Sequence, residues 1–209
     1  MTRVVGFAVA GGESRRMGSD KALLPWSASD LLDHALVRLR AVTPDVRILS
    51  GPELRYPDRG VPVLRDLVPD AGSLGGVLAG LEALAQRGAG GGAASDAGLF
   101  LGIDLPFVTV SLLTRLAALA EGFDAVVPVS PGGPEPLAAL YRPACLPPIR
   151  RRMAEGRFEM TAFWSEVRVR TVEGGELRAL GDPTRLFRNL NTRADYEHAR
   201  AEAAAAGRG

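Results

Sequence analysis

The run Ala10-Gly11-Gly12-Glu13-Ser14-Arg15-Arg16-Met17-Gly18-Ser19-Asp20-Lys21 concentrates the residue types that hold phosphate. Glycines let the backbone come close to an anion and adopt φ > 0, so successive N–H groups can point at one phosphate. Arg15, Arg16 and Lys21 place three cations within seven residues. Arginine grips phosphate oxygens with a planar fork, and lysine adds a compact point charge. Binding of a nucleoside triphosphate is the chemistry this pattern suits. Two common phosphate loops do not fit it. A Walker A loop needs Gly-Lys followed by Ser or Thr, whereas Gly18 precedes Ser19 and Lys21 precedes Ala22. The dinucleotide spacing Gly-x-Gly-x-x-Gly does not occur here.

Other residues offer complementary chemistry. Asp104 lies in Leu101-Gly102-Ile103-Asp104-Leu105-Pro106-Phe107, just after an apolar run. A carboxylate there can reach Mg²⁺, a hard cation that takes carboxylate and phosphate oxygens, or it can cap the turn that Pro106 fixes. Asp66 and Asp70 stand before the glycines at 72, 75 and 76. Asn189 and Asn191 alternate around Leu190. On an extended segment both amides point to the same side, where they can bond a polar ligand or satisfy local backbone.

The surrounding elements must position these groups. Residues 4–9 form a short apolar run that reads as a buried strand entering the glycine loop. Apolar residues at 31, 32, 35, 36 and 39 predict a helix over 30–42. Strands are predicted at 46–49, 61–64, 99–103, 124–129, 136–141 and 167–172. Helices are predicted at 72–85, 110–120, 146–155 and 192–205, the last with Thr192 as N-cap. Residues 88–94, nearly all Gly and Ala, read as a surface connection. Strands alternating with helices imply a mainly parallel sheet covered on both faces, with ligands outside the carboxyl ends of its strands.

The 209 residues suit a single domain over 1–209. With 25 Lys and Arg against 24 Asp and Glu, the net charge of +1 gives no basic field for nucleic acid, so anion binding must be local. The lone Cys145 excludes an intramolecular disulfide and a Cys-built zinc site, and is expected to be an inert buried thiol. His34 and His198 leave little for a His-based metal site. No leader pattern and no membrane-length apolar run is visible, so a cytoplasmic location is expected. Trp26, Trp164 and Phe163 read as packing residues. Arg150-Arg151-Arg152 read as a solvated helix face that can also meet an anionic acceptor.

The run Val9-Ala10-Gly11-Gly12-x-Ser14-x-Arg16-Met17-Gly18-x-Asp20-Lys21-Ala22-Leu23-Leu24 resembles the signature of the molybdenum cofactor guanylyltransferases, MobA-like enzymes of the Rossmann-like nucleotidyltransferase group. Val9 stands where the family usually has Leu. The resemblance implies a three-layer α/β/α fold and transfer of GMP from GTP to the terminal phosphate of molybdopterin, with release of pyrophosphate. It implies that Val9, Ala10, Gly11 and Gly12 contact the nucleotide, that Arg16 and Lys21 hold its phosphates, and that Asp104 binds Mg²⁺. The segment from Asp66 to Gly76 is similar to the family's Asp, spacer, Gly-Pro-Leu-Ala-Gly stretch, with Ser73 for Pro and Gly75 for Ala. By that match Asp66 contacts the base, with Asp70 as a rival. A carboxylate can accept from the N1–H and N2 amino group of guanine, a pair that cytosine does not present. The segment from Asn189 to Asp195 resembles the closing Asn-x-Asn-Thr-Pro-x-Asp motif, with Arg193 for Pro, which places Asn189 and Asn191 at the pterin acceptor. Glu135, where the family often has His, receives no role. Transient contact with proteins that make or carry the cofactor is also implied. The competing readings are a cytidylyltransferase for the same pterin, a sugar-phosphate nucleotidyltransferase, and a non-catalytic nucleotide-binding or cofactor-carrier protein of the same fold.

Overall fold

The computed structural model describes residues 2–11, 20–66, 68, 71–89 and 96–206. Ten strands are described: β1 Arg3–Val9, β2 Pro25–Trp26, β3 Ser29–Asp30, β4 Val46–Leu49, β5 Val63–Leu64, β6 Asp96–Gly102, β7 Ala125–Ser130, β8 Gly133–Pro134, β9 Ala138–Tyr141 and β10 Val169–Val172. The α-helices are α1 Leu31–Arg40, α2 Gly72–Ala89, α3 Val110–Ala118, α4 Leu146–Ala154, α5 Gly174–Arg178, α6 Pro183–Leu186 and α7 Arg193–Ala206. The main sheet runs β10-β7-β9-β6-β1-β4-β5, with β8 paired to the end of β7. Its pairs are parallel except that β9 lies antiparallel to both β6 and β7, and β8 to β7.

Alternation along the buried strands divides the core into two layers. On β1, Val5, Phe7 and Val9 face α2 and α4, where they meet Phe100, Leu74, Leu81 and Ile149. Ala8 and the following Ala10 face the opposite layer, with Leu99, Leu101, Leu36 and Leu112. Phe7 and Phe100 stack with centroids 4.8 Å apart across the β1–β6 pair. Helices thus cover both faces, which gives the expected three-layer α/β architecture. A smaller cluster of Trp26, Leu31, Leu190, Tyr196 and Ala199 joins the β2–β3 hairpin to α7. The Tyr196 hydroxyl donates to the Pro25 carbonyl at 2.6 Å and ties the two together.

Most predicted elements appear within a few residues of their expected bounds. The predicted strand at 136–141 is shorter, Ala138–Tyr141. α2 continues to Ala89, beyond the helix expected to end at 85, so residues 88–89 of the connection expected at 88–94 are helical, and residues 90–94 of it lie outside the described residues. Thr192 caps α7 as expected: its Oγ1 accepts from the Asp195 N–H at 3.1 Å, and Asp195 Oδ2 accepts from Thr192 N–H at 2.7 Å. No helix among the described residues is long and apolar enough to cross a membrane.

Candidate active site

The carboxyl ends of β1, β4, β5 and β6 meet at one edge, and their backbones are laced together there. Ala10 N–H donates to the Leu49 carbonyl at 2.8 Å, Ser50 N–H to Leu64 at 3.0 Å, and Ile103 N–H to Val9 at 3.2 Å. Gly11 packs so closely on Gly51 that a Cβ at 11 would lie 2.8 Å from the Gly51 nitrogen. Only glycine lets the two turns approach this far.

Lys21 and Asp104 come together at this edge. Lys21 Nζ lies 3.8 Å from Asp104 Oδ2, and both side chains are mostly buried. Asp104 occupies the turn after β6, where Leu105 N–H bonds back to the Gly102 carbonyl at 3.1 Å. A Cβ on Gly102 would sit 2.6 Å from Asp104 Oδ1, so the missing side chain makes room for the carboxylate. Burial pushes the Asp104 carboxyl above the ordinary carboxylate range, and the charge of Lys21 opposes that shift. The segment after it is pinned from α1. His34 Nε2–H donates to the Pro106 carbonyl at 2.9 Å and Arg38 Nε to Val108 at 2.8 Å. Burial lowers His34 to about 4, so its ring is neutral near pH 7, in keeping with a donor to a carbonyl.

Asp66 sits beside the same edge. Its N–H donates to the Gly51 carbonyl at 2.7 Å. Among the described residues its Oδ1 is buried without a hydrogen-bond partner, and desolvation raises its carboxyl. The neighbouring backbone is that of Gly75 and Gly76; a Cβ on either would lie 3.6 Å from an Asp66 carboxylate oxygen, and one on Gly76 would lie 3.8 Å from Val9. A buried acceptor is ordinarily paired with a protein group, an ordered water or a ligand.

Asn189 and Asn191 flank the site from the C-terminal side. Both are exposed while Leu190 between them is fully buried, the pattern expected of alternating residues. Leu190 N–H donates to the main-chain carbonyl of Asp104 at 3.0 Å, so the Asn-x-Asn segment docks on the turn that carries the carboxylate. Asp195, at the start of α7, is held low by its bonds from Thr192 and Asn191 and by the charge of Lys21. The structure therefore brings Val9, Ala10, Gly11, Lys21, Asp66, Asp104 and the 189–191 segment to one edge of the sheet. Gly12, Arg16 and the rival Asp70 lie outside the described residues.

Three residues escaped the sequence reading. Asp20 caps the 3₁₀ turn Lys21–Leu23 by accepting from Ala22 N–H at 3.0 Å, and it also takes bonds from Arg55 and Tyr56. The signal for Asp20 was its place in the loop signature; Arg55 and Tyr56 sit in an irregular segment with no periodic mark. Glu135 is half-buried and accepts from the Ser130 hydroxyl at 2.6 Å. The arginines at 150–152 are engaged: Arg150 pairs with Glu82, Arg151 with Glu166, and Arg152 with Glu155 and Glu166. Trp26 and Phe163 are core residues, and Cys145 is buried, its thiol bonded to the Asp124 carbonyl and pushed up to about 12 by desolvation.

The magnesium expected at Asp104 can be tested against this geometry. Among the described residues no cluster of three or more His, Cys, Asp or Glu could hold a metal alone. A single hard carboxylate nevertheless suits Mg²⁺, which is usually bound through one or two carboxylates with substrate phosphates and water completing the shell.

The domain described as MobA-like NTP transferase matches residues 6–168. A molybdenum cofactor guanylyltransferase of Desulfosudis oleivorans is 32% identical over 203 residues, covering 96% of each chain. A probable molybdenum cofactor guanylyltransferase of Deinococcus radiodurans is 36% identical over 190 residues, covering 89% of this chain and 88% of its own. The crystal structure of molybdopterin-guanine dinucleotide biosynthesis protein A from Archaeoglobus fulgidus superposes with a TM-score of 0.75 at 22% identity, over 97% of this chain and 99% of that one, a likeness of fold.

Proposed function

The chain belongs to the MobA-like NTP transferase family, and from that premise we propose that it transfers GMP from GTP to the terminal phosphate of molybdopterin. The observation that carries this reading is the meeting of Lys21 and Asp104 at the carboxyl edge of the sheet, 3.8 Å apart. One group attracts phosphate and the other suits the cation that accompanies it.

In the proposed reaction an oxygen of the acceptor phosphate attacks the α-phosphorus of GTP. The bond from that phosphorus to the bridging oxygen breaks, and pyrophosphate leaves with the electron pair. The attacking phosphate is already anionic, so no dedicated general base is needed. Lys21 and Arg16 would hold the triphosphate, with backbone N–H groups of the glycine loop beside them. Asp104 would hold Mg²⁺, which when bound would neutralise triphosphate charge and improve the leaving group. The Oδ1 of Asp66, buried without a partner among the described residues, supports guanine as the base, since the N1–H and N2 amino group would supply donors to it. Asn189 and Asn191 would bond the pterin side, and Val9, Ala10, Gly11 and Gly12 would line the nucleotide side. What is left to the protein is largely positioning and charge neutralisation.

We infer one nucleotidyltransferase domain over residues 1–209, supported by β10, which lies beyond the matched segment yet pairs with β7. A cytoplasmic location and brief contact with cofactor-carrying proteins belong to the same reading. The test is incubation with molybdopterin, Mg²⁺ and either GTP or CTP, followed by mass analysis. A guanine dinucleotide with release of pyrophosphate is expected; a cytosine dinucleotide alone would overturn the choice of base, and no product from either would overturn the activity.

A further inference from the structure

The two flanks of the glycine-rich loop lie in the grip of one side chain. Arg55 Nη2 donates to the Ala10 carbonyl at 3.4 Å, before the loop, and Nη1 donates to Asp20 Oδ2 at 3.3 Å, after it. The same guanidinium donates to the Ser50 carbonyl through Nε at 3.3 Å and Nη2 at 3.0 Å. A rigid planar fork carries its five N–H groups on three separate nitrogens and so reaches three acceptors that a lysine's compact ammonium cannot span from one point. Tyr56 completes the clasp. Its hydroxyl donates to both oxygens of Asp20, at 2.9 and 2.8 Å, and the Arg55 guanidinium lies 5.1 Å from the centre of its ring.

The backbone marks this place as well. Tyr56 has φ 66°, in the left-handed region that bulky residues seldom enter. Such a conformation persists when its surroundings over-determine it, and it concentrates where function requires a fixed geometry. Pro57 follows, and Arg59 anchors the next turn on Asp30 and Asp33, both at 2.6 Å. Asp20, so held, caps the turn whose first residue is Lys21.

We infer that Arg55 and Tyr56 are positioning residues for the nucleotide loop: they fix its two flanks relative to each other and set Lys21 in place before the triphosphate arrives. The inference rests on the loop's reading as a triphosphate site. Fixed flanks leave less conformational freedom to be lost on binding, so affinity for the triphosphate should carry the effect. Neither residue is required to touch the reacting atoms.

The experiment uses the full chain and the variants Tyr56→Phe, Arg55→Ala and Arg55→Lys. Triphosphate binding is measured directly with GTP and CTP, and KM is measured for each substrate. Arg55→Ala should weaken triphosphate binding about 10–30-fold and Tyr56→Phe about 3–10-fold, as expected for loss of one to a few hydrogen bonds, one partner being charged. KM for the pterin should stay within about twofold. Arg55→Lys should remain impaired, and millimolar methylguanidinium should restore part of the triphosphate affinity of Arg55→Ala. A general structural defect would raise both KM values together and show no rescue; that result, or wild-type affinity in the folded variants, would overturn the inference. Should Arg55→Ala fail to fold, Tyr56→Phe decides alone, because it keeps the ring and removes one hydroxyl. Failure of the wild-type chain to bind any triphosphate would overturn the reading of the loop together with the clasp, whereas wild-type binding that the variants retain would overturn the clasp alone.

Discussion

Replacing Asp104 by Asn keeps the shape of the side chain and removes the charge that faces Lys21. Turnover should fall by at least about 100-fold, on the scale seen when one electrostatic group is removed from a reacting site, with the melting midpoint little changed. Gly102→Ala should resemble it, because the added methyl would stand 2.6 Å from Asp104 Oδ1 and must displace it. Steady-state rates beside thermal unfolding curves check both; near-wild-type turnover in Asp104→Asn would remove this carboxylate from the chemistry. Burial raises the Asp66 carboxyl as it does that of Asp104, but here no lysine charge among the described residues opposes the shift. Because burial raises this carboxyl, ionising it in the folded chain costs stability. As the pH falls through that raised value the group takes up a proton and the cost disappears. Asp66→Asn should therefore melt higher than wild type at pH 8, by about 2–4 °C for each kcal/mol of relieved desolvation. The gain should shrink toward acid, and guanine selectivity should weaken. An equal or lower midpoint for the variant at pH 8 would contradict this account.

Among the elements, the segment 189–191 shows how packing places exposed side chains. Leu190 is fully buried with Trp26, Leu31 and Tyr196, and its N–H holds the Asp104 carbonyl. Leu190→Ala should cost about 2–5 kcal/mol through the cavity it leaves. It should also raise KM for the pterin more than KM for GTP, as separate titrations of the two substrates would show. The opposite ranking would detach Asn189 and Asn191 from the acceptor. This scale also explains what could be read from the sequence. β1, β4 and β6 were legible because strands buried on both faces are continuous apolar runs, and α1 because its buried residues repeat with helical spacing. The hairpin β2–β3, strand β8 and helices α5 and α6 span only two to five residues, too few to establish a period. The glycine loop and Asp104 announced themselves by composition and position. Arg55 and Tyr56 did not, because their contacts join segments far apart in the chain, and the pairings of Arg150, Arg151 and Arg152 were hidden for the same reason.

For the molecule as a whole, Cys145 offers a reporter of cooperative opening. It is the chain's one cysteine, buried in the turn that leads into α4, with its thiol pushed up to about 12 by desolvation. At pH 8 an aromatic disulfide reagent should react with the native chain at least about 100-fold more slowly than with the denatured one. Its rate should rise with denaturant in step with loss of the circular dichroism signal. Rapid native labelling would mean that α4 opens independently of the sheet.

The bond between Leu190 and the Asp104 carbonyl has a consequence for the order in which the molecule comes into being. The ribosome releases β1, β4 and β6 well before residues 189–191 emerge. The strand edge that carries Asp104 can then take shape on the nascent chain before the segment that docks on it exists. The edge is completed late in synthesis, when Leu190 closes onto a turn laid down much earlier.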